Sequence, residues 1–520
     1  MIEKIVDDLK NKHNVLGIVD CDGINNYDLL HQTINHYKPK YNYNDRIVYV
    51  CTKHTNHLLS NIQTIIDTID ISSFFVVVVA PNQIIKNNLT DITFIGCASL
   101  NEETDTLPSL SKSDVLEMRN DHLLTDKEKS LLFSSKHFCL APWIHTHIET
   151  DGVCKLCCFS TKKLGTTDTH TLSELTNSST VNEIKKDMLE DKPISGCECC
   201  YTEESLGKTS YRNNFNQKFS HHISKINDTK FELVSWDFRF NNLCNLSCRS
   251  CNENASSSWA KPAEYLGIKL KDRKKIINDG VYEQLIKHID VVEEIYFAGG
   301  EPLIMKEHYD LLELLILKNK TDVRLIYNTN FTKTNYKNID VFDLWNKFSN
   351  VAVCASLDAE GDRAEYLRCG TKWNDILENR KKMLVKSPHI YFWVSATTGL
   401  INALHIPDLH KKLYDIGFID DLSDFNIQNI YFPEFMRVDT APIELKAKIL
   451  KKYKQHINWL KTRDKSGRAT SGFEGVLELL TSNKKFDSEL FWSNIDPLDV
   501  YYKKEIRDYF PELQDIYKQN

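Results

Sequence analysis

The chain has 520 residues and a formal net charge of -7, too long for one compact core and acidic enough to argue against neutralising nucleic-acid phosphates as its main work. Hydrophobic content of 41%, aromatic content of 10% and charged content of 26% match an ordinary folded chain and exclude a disordered, collagenous or coiled-coil one. The longest wholly apolar run, Phe74 to Ala80, is far short of the roughly 20 residues a membrane helix needs.

The opening Met1-Ile-Glu-Lys-Ile-Val-Asp-Asp puts acids where a secretory signal needs a basic segment and then an apolar one, so a cytoplasmic protein is expected. Residues 1–115 read as a small α/β domain. Val15 to Val19, Ile47 to Cys51, Phe74 to Ala80 and Ile92 to Cys97 are short, rich in Val, Ile and Phe, and bounded by turn residues, which predicts buried strands. Tyr27 to His36 and Leu58 to Ile69 read as helices between them, and this alternation predicts a parallel sheet. No glycine-rich phosphate loop accompanies it. Cys21, Cys51 and Cys97 lie at or near strand ends without metal spacing and read as structural thiols.

The polar stretch from Asn101 to Lys129 predicts a linker with a short helix, ending by residue 136, before a cysteine-dense region at 137–215. From 230 to 435 six strand candidates recur with helical segments between them: Leu233 to Phe240, Glu294 to Phe297, Val323 to Tyr327, Val351 to Leu357, His389 to Ser395 and Phe425 to Ile430. That is the pattern of a parallel barrel with six units rather than eight. Residues 436–520 have helical periodicity, with Pro511 and Glu512 opening a last short helix, and read as a helical cap. The basic clusters at Lys269 to Lys275 and Lys446 to Lys454 interleave with apolar residues and read as solvated helix faces.

Fifteen cysteines are an odd number without a secretion signal, a composition that points to metal or redox chemistry rather than disulfides. After the first barrel strand the sequence reads Asn242-Leu-Cys244-Asn-Leu-Ser-Cys248-Arg-Ser-Cys251. Three cysteines at C-x3-C-x2-C on the C-terminal mouth of a barrel can hold an iron-sulfur cubane and leave one of its four irons open. A structural zinc site would want a fourth ligand close by, and none follows.

These residues resemble the radical SAM superfamily, in which the open iron binds the amino and carboxylate groups of S-adenosylmethionine. Further segments carry the resemblance in the order a barrel requires. Gly299-Gly300-Glu301-Pro302 resembles the GGEP loop, whose Glu accepts from the cofactor ammonium. Asn328-Thr329-Asn330 resembles the TNG segment, with Asn330 replacing the usual glycine. Ser356-Leu-Asp358 lies where similar proteins approach the ribose, and Glu365 to Gly370 with Trp373 resembles the run whose arginine, here Arg368, meets the cofactor carboxylate. Ser250 departs from the bulky or aromatic residue usual before the third cysteine.

Before the barrel, Cys139, Gly152, Cys157, Cys197 and Cys200 form C-x12-G-x4-C, a gap, and C-x2-C. This is similar to the twitch domain, the shortened SPASM domain, which implies an auxiliary 4Fe-4S cluster held by the four cysteines. Phe138, Pro142 and Trp143 also match similar sequences, although the family more often places the module after the barrel. Gly152 suits a tight hairpin, and four-cysteine zinc is the alternative on spacing alone. Cys154, Cys158 and Cys199 are interleaved and leave the ligand within Cys157/Cys158 and Cys199/Cys200 open. His145 and His147 are explained by alternation along a half-exposed strand. In the C-terminal cap, Asp496, Asp499 and Phe510-Pro511-Glu512 carry weaker similarity.

The resemblance implies reductive cleavage of S-adenosylmethionine and abstraction of a substrate hydrogen, with the closed auxiliary cluster transferring electrons. It implies a peptide or protein side chain as substrate and a flavodoxin- or ferredoxin-type reductant as partner. A dehydrogenase acting on a small sugar or cyclitol is the alternative within the family, and a non-catalytic iron-sulfur or zinc module is the alternative outside it.

Overall fold

The computed structural model describes residues 76–81, 94–100, 124–205, 209–228, 231–270 and 279–517. Near the N-terminus β1 (Val76–Pro81) pairs in parallel with β2 (Phe94–Leu100), as the two apolar runs there predict. The other strands and both helices expected before residue 115 lie outside the described residues. Thr125 then caps the short helix Asp126–Lys129 through a reciprocal bond with Glu128, within the expected linker.

The described residues fall into two compact units, one drawn from Met1–Leu140, Lys186–Ile194 and Cys200–Asp228, the other from Ala141–Lys185, Ser195–Cys199 and Thr229–Asn520. In the first, Arg212 is the internal anchor. Its Nη1 donates to the carbonyls of Ser135 at 3.1 Å and Phe138 at 2.7 Å, while Nε donates to Glu204 at 2.9 Å.

The second unit is built on a nine-stranded sheet. Its strands are β3 (His145–Ile148), β4 (Val153–Lys155), β5 (Lys163–Thr166), β6 (Ser235–Phe238), β8 (Glu294–Phe297), β9 (Arg324–Thr329), β12 (Val351–Ser356), β14 (Tyr391–Thr398) and β15 (Phe425–Asn429). Two-residue pairs complete the set: β7 (Ser247–Cys248) with β13 (Arg368–Cys369), and β10 (Asn335–Tyr336) with β11 (Ile339–Asp340). The sheet order is β15-β14-β12-β9-β8-β6-β3-β4-β5. All six expected barrel strands are present and parallel. A seventh, β3, joins them in parallel beside β6, so the hairpin of the cysteine-rich segment continues the barrel sheet.

Period-two alternation sorts the side chains of these strands onto two faces. Trp236, Phe238, Ile295, Phe297, Leu325, Tyr327, Val353, Phe392 and Val394 belong to the hydrophobic core. Their neighbours Asp237, Tyr296, Asn328, Cys354 and Ser395 take the opposite face, and the pairings Asp237 with Tyr296 and Cys354 with Asn328 set them side by side. One face thus packs on helices while the other is polar, the arrangement in which a barrel presents its chemistry inward.

Two expectations change here. All four residues of β3 are buried, not half-exposed, because β4 and β6 pair with it on both sides. Lys269 is exposed but lies past the end of the helix Ala260–Tyr265 rather than on a helix. Lys446 to Lys454 do lie on the helix Ile443–Leu460, which buries Leu445, Ile449, Tyr453, His456, Ile457 and Leu460. The cap continues with the helices Arg468–Leu479 and Ser488–Tyr502. Beyond them Glu512 receives two bonds from Arg363, at 2.7 and 3.1 Å. No helix among the described residues is long and apolar enough to cross a membrane.

The turn between β3 and β4 needs Gly152, whose φ of +78° is unfavourable for other residues and whose added Cβ would lie 2.8 Å from Thr167 Oγ1. Gly152→Ala is therefore expected to cost about 1–3 kcal/mol, read as a lowered thermal midpoint of the full chain.

Candidate iron-sulfur and cofactor site

The triad loop leaves the C-terminal end of β6 and is held from both sides. Ser258 Oγ donates to the Cys244 carbonyl at 2.7 Å, Ser256 Oγ to the Leu246 carbonyl at 2.6 Å, and Trp259 Nε1 to the Cys248 carbonyl at 2.8 Å. The short pair β7–β13 sets Cys248 opposite Arg368. Burial raises the Cys244 thiol to about 11. Cys248 and Cys251 share a hydrogen bond that holds Cys251 below the ordinary thiol range, with Arg368 acting in the same direction against burial. Asn330 Nδ2 lies 4.0 Å from Cys244 Sγ and donates to Asn245 Oδ1 at 2.9 Å, so the residue that replaces glycine ties the third strand to the cysteine loop. Three thiols on one clamped loop, an amide beside one sulfur and a guanidinium beside the other two fit an anionic cluster held by three thiolates.

Gly299 and Gly300 both have positive φ, +81° and +55°. The close approach they permit is to this chain's own residues. A Cβ at Gly300 would fall 2.9 Å from the Asn242 carbonyl carbon, and one at Gly299 would fall 2.9 Å from Arg239 Cβ. Glu301 N–H closes the contact by donating to the Leu243 carbonyl at 2.8 Å. The Glu301 carboxylate accepts from Leu303 N at 3.0 Å, Thr329 Oγ1 at 2.7 Å and Asn330 N at 2.6 Å, and Pro302 opens the 3-10 turn Pro302–Ile304 that follows. Those bonds favour the charged form, but burial outweighs them and pushes the carboxyl up to about 7. In this structure Glu301 thus braces the second loop to the third strand.

Asp358, at the end of β12, accepts from Arg368 Nε at 2.8 Å and from Thr397 N at 2.8 Å. Burial disfavours the Arg368 charge, yet Asp358 and the nearby Cys248 raise its pKa further. Ser356 pairs with Ser395 across β12 and β14, and Asn328 donates to the hydroxyl of Tyr296. Glu301, Asn330, Arg368 and the cysteine triad are therefore joined by direct contacts at one end of the sheet. Asn328 and Ser356 line its polar face nearby.

The cysteines of the preceding module divide between the units. In the first, Arg212 lies close to both Cys139 and Cys200. Its charge is favoured by the Cys139 thiolate form, and its backbone, with the Ser210 hydroxyl, hydrogen-bonds to Cys200. Cys157 and Cys197 belong to the second unit. Of the interleaved thiols, Cys154 is buried in the core 3.0 Å from Thr146 Oγ1 and is raised to about 11 by that burial, which suits a structural thiol. Cys158 is half-buried beside Asp237, Cys157 and Arg239, and its partial removal from water pushes it far above the ordinary thiol range. Cys199 is exposed.

Sequence reasoning missed two groups. Arg249 sits between the second and third cysteines with its side chain fully buried. It is paired with Asp499 of the cap at 2.6 Å, donates from Nε to the Tyr366 carbonyl at 3.0 Å, and stacks 3.8 Å from the Tyr366 ring centroid. Tyr502 adds to this brace, its phenolic hydroxyl donating to Ser247 Oγ at 2.7 Å. The second group is on the polar sheet face, where His147 Nδ1 meets Asp237 at 2.9 Å and Asp237 pairs with Arg239. The resemblance of Asp499 to related chains was a signal for the first. An acid in an apolar strand, Asp237 between Trp236 and Phe238, was the only one for the second.

Residues 139–201 match the model of the SPASM iron-sulfur cluster-binding domain. That match bears out the reading of the cysteine-rich segment as an iron-sulfur cluster-binding module of the SPASM type. No curated protein matches the sequence. Among solved structures, native anSMEcpe with bound AdoMet and Cp18Cys peptide is 18% identical, with coverage of 44% of this chain and 60% of that one and a TM-score of 0.31. TYW1 with a lysine-pyruvate adduct is 16% identical over 44% of this chain and 71% of that one, with a TM-score of 0.23. A spore photoproduct lyase mutant with bound AdoMet is 15% identical over 41% and 58%, with a TM-score of 0.25. The chain spans about three-fifths of the length of the first of these.

Removing one partner of a buried ion pair strands the other charge, so Asp499→Ala is expected to destabilise the chain by about 3–5 kcal/mol. It should also lower the iron bound by a variant in which only Cys244, Cys248 and Cys251 remain as proposed ligands, measured by denaturation and iron analysis. Glu301 makes a pH prediction. Its folded pKa near 7 lies above the ordinary carboxyl value of 4.5, so the stability it contributes is complete below about 4.5 and is lost as pH rises through about 7. The iron-free wild type is expected to lose on the order of 3 kcal/mol relative to Glu301→Gln between pH 4.5 and 8, and equal slopes in the two proteins would refute this.

Proposed function

We propose that the protein is a radical SAM enzyme that modifies a peptide or protein side chain. The observation that carries the reading is the clamped triad Cys244, Cys248 and Cys251 beside Arg368 and Asn330, in a chain whose residues 139–201 match an iron-sulfur cluster-binding domain. When bound, the cluster and S-adenosylmethionine would supply the radical chemistry that removes a hydrogen atom from the substrate.

The chain's own residues have separate tasks. Cys244, Cys248 and Cys251 hold the cluster by three thiolates. Gly299, Gly300, Glu301 and Pro302 form the loop that receives the methionine end of the cofactor, with Arg368 directed at its carboxylate and Asp358 keeping that guanidinium in place. Asn328, Asn330 and Ser356 orient the rest of the cofactor. Cys139, Cys157, Cys197 and Cys200 hold the auxiliary 4Fe-4S cluster in this reading, with Cys158 turned towards Asp237 instead. Electrons reach the protein from a flavodoxin- or ferredoxin-type partner. The peptide assignment is supported by the SPASM match, because modules of this type accompany peptide modification.

The reduced, reconstituted wild type is expected to release 5'-deoxyadenosine from S-adenosylmethionine under anaerobic conditions, and Cys248→Ala to release none, as read by chromatography. Absence of release from the wild type at full iron content would sink the proposal.

A further inference from the structure

Five charged groups alternate in sign from the hairpin of the cysteine-rich segment into the sheet. Lys155 Nζ meets Glu149 at 2.8 Å, and Glu149 meets His147 Nε2 at 3.3 Å. His147 Nδ1 then meets Asp237 at 2.9 Å, and Asp237 pairs with Arg239. The aliphatic stem of Arg239 ends directly under Gly299, where an added Cβ would fall 2.9 Å from Arg239 Cβ. Its guanidinium lies 5.1 Å from the Tyr296 ring centroid, and Tyr296 is fixed in turn by Asn328. The sequence begins within the matched iron-sulfur module, at residues 139–201, and finishes against the glycine loop.

We propose that Asp237 and His147 are positioning residues that set the Gly299–Gly300 loop through Arg239, so that the hairpin of the iron-sulfur module governs how tightly the barrel binds S-adenosylmethionine. This rests on the function proposed above. The inner members of the relay are almost wholly removed from water: the His147 side chain is 2% exposed, Asp237 4% and Arg239 12%. Buried charges of this kind hold their partners firmly, because releasing one leaves another unpaired. The loop contact has no slack, since glycine backbone rests on the Arg239 stem without a side chain between them. Protonation agrees with this arrangement. Burial opposes the His147 charge, but its bonds to Asp237 and Glu149 prevail and raise its pKa, while Asp237 is held down to about 2 against burial by Arg239 and His147.

The test uses full-length reconstituted protein and equilibrium dialysis with labelled S-adenosylmethionine, alongside iron content and thermal melting. Asp237→Asn and Arg239→Met are expected to keep their iron and to weaken binding at least about tenfold, within the range of ordinary coupling between sites. Arg239→Lys, which keeps a stem and a charge but loses the planar fork that meets Asp237 and Tyr296, is expected to weaken binding less than Arg239→Met does. Should Asp237→Asn melt early or lose iron, His147→Gln provides the same reading one link outward, with binding again expected to weaken. Unchanged binding in the iron-replete variants overturns the relay, as does a loss of turnover with binding intact, which would make the pair a substrate proton acceptor. A wild type that binds no S-adenosylmethionine overturns the proposed function itself, and the relay with it.

Discussion

A single buried guanidinium fixes the loop that carries Cys244, Cys248 and Cys251. The Arg249 side chain is wholly buried, and its charge is met by Asp499, by the Tyr366 carbonyl and by the Tyr366 ring face. Asp499 is itself committed, accepting from the Tyr366 hydroxyl at 2.9 Å and from Ile506 N at 2.8 Å. Every member of this group would be left with an unmet polar atom if another moved, and that is the condition under which a buried network rigidifies its surroundings. The energy favouring one geometry for the three sulfurs comes from contacts made on the other side of the loop.

The same logic recurs with less charge at the glycine loop. Gly300 and Glu301 press against Asn242 and Leu243 of the cysteine loop, while the Glu301 carboxylate gathers donors from Leu303, Thr329 and Asn330. Three loops after three successive strands are thereby locked to one another. Arg368 enters from a fourth, through β13 and its pairing with β7. The site is a set of mutually braced loop backbones, and the rigid parallel sheet below supplies only their spacing.

Much of this was legible in the sequence because period-two apolar runs have few alternatives. All six barrel strands appear where Val, Ile and Phe cluster between turn residues, and the motif residues follow them in order. Gly152 was legible as a turn residue because few others tolerate its backbone angles. What stayed hidden depends on pairing between segments distant in the chain. His145 and His147 look like a half-exposed strand until β6, about ninety residues later, covers their second edge. Arg249 looks like an ordinary loop arginine until the helix Ser488–Tyr502 presents Asp499 to it. Gly299 and Gly300 were legible as part of a loop motif, but the motif alone does not say that the chain's own Arg239 packs against them.

The parallel pairing of β3 with β6 also bears on how the chain can be divided. Without β3, the N–H and C=O groups along one side of β6 would face solvent, on a strand whose own Trp236 and Phe238 are strongly apolar. An open, apolar strand edge invites pairing with another chain. A fragment beginning at residue 230, although it would contain every motif of the barrel, would therefore be prone to self-association. The iron-sulfur segment acts, in this respect, as the sheet's own protective flank.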